Sequence, residues 1–192
     1  MEQVNLITIA DIKKIRSISN VINSDKDIMP FVYEAQEVEV KRILGELLYT
    51  DLTVTYNGEE MGNSTPVKYL ELLNGKQYTY LDNTYLFNGL KQIIAYYSYY
   101  SFLKQWGVHI TNAGLQVKTG DMSLPVEDAT RGRMLADVKS KLSSFVDDLN
   151  KFLVRNKDTY PLYYKNCEVS EYLERGSVTI INASTKEDYL WG

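Results

Sequence analysis

The stretch LFNGLKQIIAYYSYYSFLKQW, Leu86 to Trp106, decides how the rest of the chain is read. Its apolar residues recur at three- and four-residue spacing on two faces. Leu86, Leu90, Ile93, Ile94 and Tyr97 form one stripe; Tyr96, Tyr99, Leu103 and Trp106 form the other. Lys91, Ser98 and Gln105 recur every seven residues and leave a narrow polar strip. A helix apolar on nearly every side is buried in a core or spans a membrane. Lys91, Gln92, Lys104 and Gln105 break the run short of the roughly 20 apolar residues a span needs. The stretch is therefore expected to be a central helix around which others pack, ended by Gly107 as a left-handed cap. Tyr96, Tyr97, Tyr99 and Tyr100 read as packing residues, with rings buried and hydroxyls at the edge.

Upstream, Ile7 to Ser19 reads as a short amphipathic helix. Thr8 is its N-cap, Asp11 takes the capping-box position, and Ile9, Ile12, Ile15 and Ile18 share a face. Ser24 to Leu48 reads as a second helix, with Ser24 as cap and Pro30 in an early turn. Phe31, Ala35 and Val38 form one apolar row and Val40, Ile43, Leu44, Leu47 and Leu48 the next. Glu34, Glu37, Glu39, Lys41 and Glu46 form its solvated or inter-subunit face. Leu52 to Tyr56 alternates like a strand before the turn pair Asn57-Gly58, which suggests a two-stranded flap. A short helix is expected from Pro66 to about Leu73, ending at Asn74-Gly75, followed by a loop from Gln77 to Thr84.

Downstream, Gly107 to Pro125 joins two long helices. Val108 and Ile110 alternate with polar neighbours, as do Leu115 and Val117, around the turn signals at Asn112-Ala113-Gly114 and Thr119-Gly120-Asp121. The stretch reads as an extended arm or β-hairpin; its 19 residues reach roughly 60 Å stretched, or half that folded back. Loops this long in a compact domain are usually functional, although folding back on its own domain is the plain alternative. Val126 to Asn156 is the last long helix. Leu135, Val138, Leu142, Phe145, Leu149 and Phe152 follow the alternating spacing of a coiled-coil seam and are expected to dock on the central helix. Asp147, Asp148, Lys141, Lys151 and Arg155 read as surface charge. After Tyr160-Pro161-Leu162-Tyr163, a strand at Ser177 to Ile181 and the terminal Tyr189-Leu190-Trp191 suit docking on another chain or packing on the chain's own helices.

The fold class is thus mainly α: an antiparallel helical bundle with an arm or hairpin between its last two long helices and a short C-terminal strand. Residues 1–165 form the helical domain and 166–192 a C-terminal docking extension. At 192 residues the chain is long enough for one domain with a real core. A net charge of −4 argues against non-specific nucleic-acid binding through a basic surface. One cysteine, Cys167, excludes an internal disulfide framework and fits a reducing cytoplasm. The start MEQVNLITIADIKK lacks the basic and apolar regions of a signal peptide.

Chemistry is sparse. His109 is the only histidine and reads as a loop residue. Cys167 has no histidine at a recognisable spacing, no phosphate-binding glycine motif is present, and Asp147-Asp148 and Glu59-Glu60 are adjacent pairs rather than carboxylates held across a cleft. No catalytic residue, cofactor or metal is expected. The candidate functional residues are interface residues: Val108, Ile110, Asn112, Leu115, Val117 and Met122 in the arm, and Val178, Ile180, Tyr189 and Trp191 in the tail.

Four pieces of sequence resemble a known family. They are LITIADIKK near the start, AQEVEVKRILGELLYTDL at Ala35 to Leu52, the stretch from Leu86 to Ser123, and the helix ending before Tyr160-Pro161-Leu162-Tyr163. In order and character they are similar to the head-to-tail connector, or neck-ring, proteins of tailed bacteriophages, most closely those of crAss-like phages of Bacteroidetes. The resemblance covers roughly residues 5 to 165. It implies a virion structural protein, assembled in the host cytoplasm as a homo-oligomeric ring of about twelve copies. Such a ring sits in the neck, binds portal and other neck or tail proteins, and extends the channel for DNA ejection. Genomic DNA passes through without sequence-specific binding, and no membrane is involved. The acidic balance suits a channel wall that does not retain DNA. Two other readings compete. One is a helical regulatory module binding nucleic acid or a small ligand, with Lys13, Lys14 and Arg16 or the Arg131/Arg133 pair as its footprint. The other is an enzyme using Cys167 or His109.

Overall fold

A computed structural model describes residues 4–15, 24–56, 65–105, 108–111, 114–117 and 128–163. The described chain is mainly helical, with two antiparallel β-hairpins. Helix α1 is Ile9–Ile15, α2 Met29–Glu34, α3 Lys41–Leu44, α4 Glu46–Thr55, α5 Val67–Asn74, α6 Leu90–Gln105 and α7 Asp128–Arg155. Strands β1 (Lys76–Tyr80) and β2 (Asn83–Phe87) pair between α5 and α6; β3 (Val108–Thr111) and β4 (Gly114–Val117) pair between α6 and α7.

The central helix is where its periodicity places it, though shorter at its start. Leu90, Ile93, Ile94, Ala95, Tyr96, Tyr99 and Phe102 are buried, and α1, α2, α5 and α7 pack around them. The polar strip is narrower than expected: Ser98 is fully buried, and its hydroxyl donates to the Ile94 carbonyl at 2.8 Å. Leu86 and Phe87 do not belong to this helix. They lie in β2, and the positive φ of Gly89, +92°, separates strand from helix. Helix α7 runs antiparallel to α6. Phe87, just before α6, stacks on Phe152 near the end of α7; Tyr96 meets Phe145; Leu103 meets Arg131 near the start of α7. Of the expected seam, Val138, Leu142, Leu149 and Phe152 are buried, and Leu135 and Phe145 are half-buried.

Thr8 and Asp11 cap α1 as read, with the Thr8 N–H donating to Asp11 Oδ2 at 2.9 Å. Burial pushes the Asp11 carboxyl up. The Thr8 N–H, Lys14 and the Thr8 hydroxyl outweigh it and hold the group below the usual carboxylate range.

The second helix differs from the continuous one expected. Ser24–Ile28 and Ala35–Val40 are π-helical, and the run stops at Gly45, whose φ of +77° begins a separate helix. The buried row is Val32, Gln36, Val40, Leu44 and Leu48, every fourth residue. On a regular α-helix such a row drifts about 40° per step; wider i→i+5 turns swing it back toward the core. The cost is that Val38, read as core, is 56% exposed, while Gln36 is fully buried. Gln36 is satisfied by the segment before α1: the Leu6 N–H donates to its Oε1 at 2.9 Å, and its Nε2 donates to the Val4 carbonyl at 3.0 Å. Gln36→Leu is expected to cost about 2–4 kcal/mol, because a buried N–H and a carbonyl lose their partners together. Urea unfolding followed by circular dichroism would read it, with Gln36→Glu as the comparison that keeps the acceptor and loses the donor.

Two further expectations are corrected. Leu52 to Tyr56 is not a strand: residues up to Thr55 continue α4, because Leu48, Tyr49 and Leu52 bury at helical spacing. The Thr53 hydroxyl donates to the Tyr49 carbonyl at 3.0 Å, a helical back-bond. Gln77 to Thr84 is not a loop but most of the first hairpin. Asn57-Gly58, Ile18 and residues 166–192 with the expected C-terminal strand lie outside the described residues.

Three tyrosines tie the helices through their hydroxyls. Tyr49 donates to Glu37 at 2.9 Å, Tyr69 to Asp51, and Tyr160 to the Lys68 carbonyl at 2.7 Å. Burial holds all three above the ordinary tyrosine range; the neighbouring carboxylates Glu37 and Asp51 add to this for Tyr49 and Tyr69, and Glu71 for Tyr160. A raised folded pKa contributes stability that is whole below the unfolded value of about 10 and is lost as pH climbs through the folded value. Stability is therefore expected to fall above about pH 10, with part of the tyrosinate absorbance appearing only as the chain unfolds. A spectrophotometric titration in which all tyrosines ionise together near pH 10 would contradict this.

Candidate interaction surfaces

Three surface features stand out, and all three are built around α6 and α7. The first is the β1–β2 hairpin. Its register pairs Lys76 with Phe87, Tyr78 with Tyr85 and Tyr80 with Asn83, so the inner face is aromatic. Tyr78 stacks on Tyr85 at 5.6 Å and meets Phe152 edge-on at 5.1 Å. Arg155 holds this face. Its guanidinium lies 4.1 Å over the Tyr85 ring and 5.1 Å over Tyr80, and Nη1 donates to the Tyr78 hydroxyl at 3.2 Å. The expectation that Arg155 is plain surface charge is thus corrected: it is the clamp between α7 and the hairpin. On the outer face Leu86 is 63% exposed, and at the tip Leu81 is 76% exposed. Leu81 and Asp82 form the two-residue turn with φ of +47° and +60°, a geometry in which Asn and Gly are the favoured residues.

The second feature is the β3–β4 hairpin within the expected arm. Val108 pairs with Val117, His109 with Gln116, Ile110 with Leu115 and Thr111 with Gly114. The hairpin alternative of the sequence reading is the observed one, and His109 stands in a strand rather than a loop. The four apolar arm residues named from sequence, Val108, Ile110, Leu115 and Val117, occupy matched positions of the ladder. Asn112, Met122, Val178, Ile180, Tyr189 and Trp191 lie outside the described residues. At the root of this excursion Arg131 donates from Nε and Nη2 to the Leu103 carbonyl at 3.1 and 2.7 Å, and from Nη2 to the Lys104 carbonyl at 2.7 Å. A cation on the last carbonyls of a helix satisfies orphan acceptors and complements the dipole. Arg131 therefore pins the start of α7 to the end of α6. Nothing in the sequence marked it except its place in the first turn after the arm.

The third feature is an open groove of about 380 Å³ where Glu39 and Arg42 face α6 and α7. Tyr97 and Tyr100, with Leu142 and Val146, give it apolar walls; Lys139, Ser143 and Asp147 line its α7 side. Glu39 and Arg42 pair at 2.6 Å. Burial raises the Tyr97 hydroxyl above its usual range, Glu39 adds to this, and Arg42 opposes it. The reading of these tyrosines as packing residues holds for Tyr96 and Tyr99, which are buried; Tyr97 and Tyr100 are half-buried and open to the groove.

Among the described residues no helix is long and apolar enough to cross a membrane. No cluster of His, Cys, Asp or Glu among them suits a metal ion. Residues 40–172 match the family of unknown function DUF6712, and the chain belongs to that family. The match runs from the last residue of the second π-helical segment through both hairpins and α7, and takes in all of the groove lining except Glu39. No curated protein and no solved structure matches the chain.

Proposed function

We propose that this chain is a structural, non-enzymatic subunit of a tailed-phage neck, forming a ring that links portal to tail and extends the DNA channel. Its helices serve as an antiparallel bundle that sets the ring wall, and its hairpins and C-terminal segment serve as contacts. The sequence resemblance over residues 5 to 165 motivates the reading. The observation that carries it is the Arg131 clamp. It ties Leu103 and Lys104 at the end of α6 to the first turn of α7, so the two helix ends that residues 107–125 connect are held together, as a reaching arm requires. Val108 pairs with Val117 and Ile110 with Leu115 in the register of this hairpin, a regular strand pair of the kind that docks on a neighbour. Arg131 has its donors on backbone carbonyls, which leaves less of the basic pair that the nucleic-acid reading relied on.

Deleting Asn112 to Asp121 tests the arm. The expected result is a folded chain with unchanged helical circular dichroism that no longer forms rings or no longer binds the next neck component. Rings that form and bind as before would remove the arm from the account.

A further inference from the structure

The first hairpin carries a residue that works against its own turn. A leucine at φ +47° on an exposed tip gains no burial within its chain, and a β-hairpin turn of this type is served better by asparagine or glycine. Backbone strain of this kind clusters at sites of contact, so the outlier points to a function for the tip. Beside it, Asp82 is exposed and has no ion-pair partner among the described residues. The same chain presents the complement elsewhere. Leu142 and Val146 give the Tyr97/Tyr100 groove apolar lining; its Glu39 is paired with Arg42, and Lys139, which shares the lining with Asp147, is exposed with its ammonium unpaired among the described residues. Knob and groove are separated along α7 by the distance from Leu142 to Arg155, about 20 Å at the helical rise, so they are distinct patches.

We propose that the Leu81–Asp82 tip of one copy seats in the Tyr97/Tyr100 groove of a second copy, with Leu81 on the apolar lining and Asp82 against Lys139. Two different patches meeting head to tail make a heterologous contact, which closes into a ring or runs on as a filament. The inference rests on the ring reading above and names the surfaces that would build it. It also assigns a purpose to the groove, whose charged rim and aromatic walls suit a polypeptide tip.

The test uses four full-length variants, with association read by light scattering over a concentration series and folding by urea denaturation at concentrations where single copies prevail. Leu81→Asn is expected to weaken association at least about tenfold, the loss of one buried leucine, while the urea midpoint of the single copy stays level or rises. Asp82→Lys and Lys139→Asp are each expected to weaken association about three- to fivefold, and the double variant to recover to within about twofold. Association unchanged in all variants would overturn this contact and leave the ring reading standing. Charge reversals that weaken association without recovery in the double variant would also overturn the pairing. A wild-type chain that stays single by itself would overturn this contact, and one that also stays single with portal and neighbouring neck proteins would overturn the ring reading with it.

Discussion

Gly75→Ala is expected to destabilise the fold by more than about 3 kcal/mol, enough to leave much of the protein unfolded under mild conditions. Gly75 has φ +87° and ψ 163°, a region essentially closed to residues with a β-carbon. A β-carbon there would stand 2.3 Å from the Phe87 carbonyl oxygen, 2.7 Å from the Asn88 carbonyl carbon and 2.8 Å from the Gly89 nitrogen. All three are backbone atoms, so no side-chain rotation relieves the clash. Gly89 mirrors it: at φ +92°, its β-carbon would meet the Leu73 carbonyl oxygen at 2.5 Å and the Gly75 nitrogen at 2.6 Å. The chain enters and leaves the first hairpin through two glycines pressed against each other, and this crossing sets the hairpin between α5 and α6. Gly132→Ala is the control. Gly132 lies within α7 with nothing near its would-be β-carbon, so it should gain about 0.5–1 kcal/mol. Urea midpoints of the three proteins would decide the matter; Gly75→Ala unfolding like the wild type would refute the crossing.

Phe152→Ala is expected to cost about 3–5 kcal/mol. The ring is fully buried, stacks on Phe87 at 4.3 Å with planes 11° apart, meets Tyr78 edge-on at 5.1 Å and lies 5.6 Å from Tyr160. It joins α7 to the first hairpin and to the chain after α7, so its loss opens a cavity that three rings cannot fill without moving. Hydrogen exchange should quicken first at the Tyr78 and Tyr85 amides, ahead of those in the middle of α6. A smaller loss with unchanged exchange in the hairpin would mean that Arg155 alone holds it.

The parts legible in the sequence were those with a long helical period. Leu90, Ile93, Ile94, Tyr96, Tyr99 and Phe102, and Val138, Leu142, Leu149 and Phe152 of the seam, bury as their spacing requires, because sixteen- and twenty-eight-residue helices repeat the signal several times. The arm hairpin was legible from Asn112-Ala113-Gly114 between two alternating runs. The first hairpin was not, because its turn is Leu81-Asp82 and carries no glycine or asparagine at either central position. Leu52-Thr53-Val54-Thr55-Tyr56 misled in the opposite direction: β-branched alternation suggests a strand, yet the burial of Leu48, Tyr49 and Leu52 on one helical face overrides that preference. Gln36 carries no core signal in the sequence, because α-helical spacing puts Val38 inside; only the π-helical turn brings the amide to the buried chain between Val4 and Leu6. Among interface residues, the ladder positions of the second hairpin were readable from alternation, whereas Leu81 becomes visible only once its positive φ is known.

The proposed function has this chain at work as a ring. Its most direct test is the mass of the purified protein in solution, by light scattering after size exclusion, alone and mixed with portal and neighbouring neck proteins. A species of about twelve times the 22.1 kDa chain is expected, formed alone or on those partners. A single copy of 22.1 kDa in every mixture would contradict it.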